Sequence, residues 1–150
     1  MNRETLLLFA LALLVGGLGA IHVPINGSLG VRLGSSLVAT LTFYSVALTA
    51  IVALNLLFFD RSAFVKLSTV PVWTWLVPGL ISVAVVGANT FLIPKLGAVN
   101  VFVVAIGAQV VVRTVLSHFG LLNSPIDPVT APRLLGALLV FIGAVLVVRG

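Results

Sequence analysis

His22 and Arg113 are the ionisable side chains that the apolar stretches of this 150-residue chain offer for chemistry. An imidazole changes charge between about pH 5 and 8, so His22 could carry a proton. Beside a helix end it could equally bond a backbone carbonyl. The Arg113 guanidinium keeps its charge and would draw an anionic or strongly polar solute. Its long stem would also let it reach the interface from one turn inside the membrane.

Four uncharged polar residues stand beside them. Tyr44 shares a helical face with Ser36 and Thr40, each four residues from the next, and lies near the middle of its apolar run. Ser82 and Asn89 fall in the following run. Gln109 lines up with Ala105 and Arg113 at the same spacing. Such groups donate and accept without charge, either as contacts for a solute or as bonds between helices. Depth counting groups Tyr44, Ser82 and Gln109 around one polar cavity near mid-membrane, with Asn89 and His22 towards a mouth.

Other chemistries lack their residues. The apolar runs contain no Asp or Glu, so exchange of a proton for a cation through a buried carboxylate is not supported. Cysteine is absent, and His22 and His118 stand alone, so no metal site is expected. Gly27, Gly30 and Gly34 fit no phosphate-binding loop, and no nucleophile is paired with a base. The expectation is a protein that is not an enzyme and needs no cofactor.

The elements that must position these residues are five apolar runs, at about residues 5–25, 35–59, 71–93, 97–116 and 131–148. Each is near the roughly 20 residues that a helix needs to cross a bilayer core. Apolar residues make up 61% of the chain and charged residues 7%, well below the charge of a soluble domain. The fold class is therefore an all-α integral membrane protein of five transmembrane helices, read as a single domain over residues 1–150. The first run is too long for a signal-peptide core and is read as a span. Pro24 should kink or end the first helix, because it removes the bond to the Ala20 carbonyl. Pro94, in Ile93-Pro94-Lys95, is read as the stop of the third. Trp73 and Trp75 open the third run, as interfacial anchors do.

The net charge of +5 is spread one or two cations to a loop, which makes no nucleic-acid patch. With five spans the termini face opposite sides. Arg3, Arg61, Lys66, Arg113 and Arg133 fall on one face and Arg32, Lys95 and Arg149 on the other. A bias this small puts the N-terminus in the cytoplasm only weakly, and a near-balanced chain inserts both ways up. Gly136 and Gly143 are two helical turns apart and leave a groove for a helix contact.

Several short stretches, in their order, resemble a known family. They are Asn26-Gly27-Ser28-Leu29-Gly30, Leu33-Gly34-Ser35 with Ala39 and Phe43, Pro94-Lys95-Leu96-Gly97-Ala98, Gln109, His118-Phe119-Gly120, and Leu134-Leu135-Gly136 with Gly143 and the terminal Val-Val-Arg. Together they are similar to the five-helix YdcZ-like proteins of the drug/metabolite transporter superfamily. His22, Ala108 and Ser117 stand where that family would have a glutamine, a glycine and an acidic residue. The resemblance implies a half-size transporter bundle in the bacterial cytoplasmic (inner) membrane. It implies a secondary transporter working by alternating access as an antiparallel homodimer in lipid, and the missing carboxylates and Arg113 point to a small polar or anionic metabolite as its solute. Gly136 and Gly143 resemble the glycine pair at the dimer contact of small multidrug resistance transporters. In such a dimer, His22 of one subunit and Arg113 of the other would border one mouth of the cavity. The alternative is a non-transport membrane protein, a lipid-handling or assembly subunit, for which five helices are equally adequate.

Overall fold

The computed structural model describes residues 2–150. Every long apolar run is helical: α1 (Arg3–Leu33), α2 (Ser36–Leu57), α4 (Trp73–Leu96), α5 (Ala98–His118) and α6 (Ala131–Arg149). All five are long and apolar enough to cross a membrane. A short helix, α3 (Arg61–Leu67), lies between α2 and α4, and a single 3-10 turn (Leu121–Asn123) follows α5. Among the described residues there is no strand.

α1 corrects the expected end near residue 25. It starts at Asn2, whose side chain accepts the Thr5 backbone N–H at 2.8 Å, and runs through Pro24 to Leu33. Proline forfeits one backbone bond, and inside a membrane protein neighbouring helices compensate for that loss. Here the turns beyond Pro24 carry Asn26, Gly27 and Gly30, all buried, so continuing the helix gains packing that ending it would lose. α1 stops at Gly34, where φ is 65° and the N–H reaches back to the Gly30 and Val31 carbonyls. At about 1.5 Å per residue, α1 is about 46 Å long, more than a hydrocarbon core of about 30 Å, so it tilts or protrudes.

Pro94 likewise does not stop its helix. It sits in the last turn of α4, which continues to Leu96 and ends before Gly97, where φ is 81°. α3 was not expected. Its N-terminus is made by Asp60, which accepts from the Ser62 N–H at 2.8 Å and the Ala63 N–H at 3.3 Å.

The chain divides into two compact units, Met1–Lys95 and Leu96–Gly150. In the first, the buried residues gather at one end: Val23, Asn26, Gly27 and Gly30 of α1, Ala39 and Thr40 of α2, Thr90 and Ile93 of α4. Glycine makes this close approach possible. A Cβ on Gly30 would lie 3.0 Å from Thr90 Cγ2 and 3.4 Å from Ser36 Cα.

In the second unit α5 packs on α6, burying Val101, Gly107 and Ala144. The connecting loop folds back onto the end of α5. The Asp127 N–H donates to the Ser117 carbonyl at 2.9 Å, the Val129 N–H to His118 Nδ1 at 3.2 Å, and the Ser124 hydroxyl to the Leu116 carbonyl at 3.0 Å. Outside these contacts the large apolar side chains of both units are exposed. Water would not tolerate that surface; a lipid surround does.

Candidate functional site

Tyr44 and Ser82 meet. Their hydroxyls are 2.6 Å apart, linking the middle of α2 to α4. They border an open groove of about 510 Å³ on the first unit, with Trp75, Gly79, Leu48 and Leu76 among its walls. The other walls are apolar save for the indole of Trp75, so a solute there would meet two hydroxyls on a largely greasy surface. Either oxygen can be the donor, which lets the pair turn towards a ligand that donates or one that accepts.

Two aromatic contacts run from this pair towards α1. The Tyr44 ring meets Phe43 edge-on with centroids 5.1 Å apart, and Phe43 stacks on His22 at 5.5 Å. Consecutive residues of one helix point to different sides, so Phe43 faces away from the groove that Tyr44 borders. His22, Asn26, Thr42 and Phe43 line a separate groove of about 370 Å³. Within the first unit, therefore, Tyr44 and Ser82 share one groove and His22 borders another. Asn89 is half-buried on α4.

The buried polar contact of this unit is one that sequence reasoning missed. The Asn26 side-chain amide donates to Thr90 Oγ1 at 2.7 Å, and the Thr90 hydroxyl donates to the Val86 carbonyl at 2.8 Å. Thr90 is 1% exposed and Asn26 6%. A signal was present: Asn26 sits among Gly27 and Gly30, the composition of a close helix contact. Reading Pro24 as a break placed those residues outside the helix.

In the second unit Gln109 and Arg113 are both exposed on α5, one turn apart. A cavity of about 470 Å³ between α5 and α6 is lined by Gly107, Ala108, Phe141 and Ala144, with Arg149 at one end. Gly136 is exposed and Gly143 half-buried, and a Cβ on either would meet no atom within 4 Å. The packing of α6 within its own unit therefore makes no use of the missing side chains.

Lys95 Nζ lies 3.7 Å over the Phe91 ring near the end of α4, and the carboxylates of two connections are engaged. Arg133 Nη2 is 2.6 Å from Asp127 Oδ2, and its hydrogen bond, more than its charge, holds the Asp127 carboxyl below the usual carboxylate range. Hydrogen bonds from Ser62 and Ala63 do the same for Asp60. No group of three or more His, Cys, Asp or Glu could hold a metal ion among the described residues.

Residues 7–146 match the family described as "Putative inner membrane exporter, YdcZ". The chain belongs to that family. The match covers all five long helices, and with them a multi-pass place in the inner membrane. No curated protein and no solved structure matches the chain. For this YdcZ-family member the exporter description thus comes from the family. The hydroxyl pair, the aromatic contacts and the open glycine face come from its own structure.

Proposed function

We propose that this YdcZ-family chain is one half of an exporter for a small polar or anionic metabolite. It works as an antiparallel homodimer whose halves alternate access across the membrane. The observation that carries this reading is the Tyr44–Ser82 pair at 2.6 Å, beside a groove large enough for a small metabolite. A hydroxyl pair held away from the tightly packed end of its unit can open to accept a solute, while the buried end stays closed. In the second unit Gln109 and Arg113 are assigned to solute contact from their polarity and exposure on α5, and in the first Asn89 from its half-buried place on α4. His22 is assigned a gating role through its contact with Phe43.

The dimer is supported by two features. A five-helix unit is a small enclosure, and many transporters form their sites between two repeats. The space around Gly136 and Gly143 is open, so another helix can approach the α6 backbone there. Rocking of two such halves would open the path to either side in turn.

The test is flux. Purified protein is screened by thermal shift against neutral and anionic metabolites, since a ligand that binds the folded state raises Tm. Solutes that shift it are then followed in proteoliposomes. A transporter gives saturable flux that Tyr44→Phe and Ser82→Ala reduce. A lipid-handling or assembly protein gives none.

A further inference from the structure

The connection between α2 and α4 has a surface that neither water nor the rest of its unit accounts for. Phe58, Phe59, Phe64, Val65 and Leu67 are all exposed, Phe58 at 79%. The backbone between them is nonetheless well satisfied. Asp60 caps the start of α3. At its end the Ser68 hydroxyl donates to the Val65 carbonyl at 2.8 Å and the Thr69 hydroxyl to the Lys66 carbonyl at 2.7 Å. A connector that satisfies its own polar backbone and exposes aromatic rings is suited to the boundary between lipid and water.

Its depth is fixed by its tethers. α2 ends at Leu57 and α3 begins at Arg61; α3 ends at Leu67 and α4 begins at Trp73. At no more than about 3.5 Å per extended residue, α3 cannot leave the neighbourhood of the two helix ends. Six of its seven residues also sort by side. At about 100° per residue, Arg61, Ser62 and Lys66 fall on one arc and Ala63, Phe64 and Leu67 on the opposite one, while Val65 lies between Arg61 and Ser62. Phe64 packs on Phe59 with ring centroids 5.2 Å apart. The Asp60 carboxylate is engaged with Ser62 and Ala63, and neither Arg61 nor Lys66 forms an ion pair among the described residues.

We infer that α3 lies flat in the headgroup layer, and that Arg61 and Lys66 bind the phosphates of anionic phospholipids there. Two unpaired cations above an apolar arc are complementary to an anionic headgroup above its acyl chains. A cation close to such a surface favours anionic lipid about fivefold.

Trp73 and Trp75, the two tryptophans of the chain, stand just beyond this connector and report on it. The full chain is reconstituted in phosphatidylcholine vesicles that contain equal fractions of either dibrominated phosphatidylglycerol or dibrominated phosphatidylcholine. The bromines sit high on the acyl chains, and tryptophan quenching is measured. The expected result is stronger quenching by the brominated phosphatidylglycerol, corresponding to a local enrichment of at least about fivefold, the effect of one cation, and equal quenching by the two lipids in R61Q/K66Q. Should that variant fail to fold, 0.5 M salt on the unaltered protein should abolish the preference instead. Equal quenching in the unaltered protein overturns the anionic site. So does a preference that survives in a folded R61Q/K66Q, or one that high salt leaves unchanged. Absence of quenching by either lipid means that protein or water covers the connector, and overturns its place in the interface.

Discussion

The side-chain amide of Asn26 donates to the Thr90 hydroxyl at 2.7 Å across α1 and α4, with both residues buried. Bonds of this kind between membrane helices contribute about 0.6 kcal/mol on average and up to about 1.7. Thr90→Val keeps the shape and removes the acceptor, leaving the Asn26 amide unpaired. It should lower Tm in detergent by several degrees, and Thr90→Ser by less. A Thr90→Val protein as stable as the parent would show that the pair contributes nothing.

Glycine packing beside that pair gives a sharper contrast. Gly30→Ala would place a methyl 3.0 Å from Thr90 Cγ2 and 3.4 Å from the Ser36 backbone. The Thr90 contact is the tight one, and Thr90 is buried and bonded to both Asn26 and the Val86 carbonyl, so it gives way only at a cost, about 1–3 kcal/mol. Gly19→Ala meets nothing within 4 Å and should be neutral or slightly stabilising. The two Tm values, measured side by side, check this; equal values would contradict it.

These two residues also show what could be read from the sequence. The five spans were legible to within a few residues at most ends, because hydrophobic length is a local property. The end of α4 reads three residues early, at Ile93-Pro94, because a proline in the last turn of a helix looks like a stop. The extension of α1 to Leu33 was not legible, because Pro24 and Asn26 look like a break until α4 supplies Thr90 as the partner of Asn26. The Asn26–Thr90 bond joins residues 64 apart, and no spacing rule reaches that far. Tyr44 and Ser82 were grouped from depth alone, and the structure brings them together. His22 was expected at the mouth of the same cavity and instead lines a separate groove with Phe43.

The Asp127–Arg133 link sets a pH dependence. The folded-state pKa of Asp127 is depressed, so its contribution is fully present above the unfolded value and is lost as pH falls through the folded one. With a carboxylate reference of 3.8, the window lies at acid pH, below the usual carboxylate range. Tm of Asp127→Asn should fall slightly below the parent at neutral pH and converge with it in acid. The gap stays small throughout, because the pair is exposed. A gap that widens on acidification would contradict the sign.

Gly143→Leu should weaken the proposed dimer, since a large side chain would fill the space that α6 leaves open. Crosslinking and native mass spectrometry in mild detergent measure it. A mutant as dimeric as the parent would remove α6 from the interface. Accessibility of a cysteine introduced near the N-terminus tests the antiparallel arrangement, which requires N-termini on both sides of the membrane.

Flux through Tyr44→Phe proteoliposomes bears most directly on the central reading. This change removes the hydroxyl that lies 2.6 Å from Ser82 and leaves the ring that meets Phe43. For a metabolite that raises the Tm of the unaltered protein, saturable flux is expected in that protein. In the mutant a fall of about tenfold or more is expected, with Tm without ligand nearly unchanged, since a lost contact of about 1.4 kcal/mol is a factor of ten. Flux that is equally fast and equally saturable in the mutant would contradict the assignment of the hydroxyl pair to the solute path.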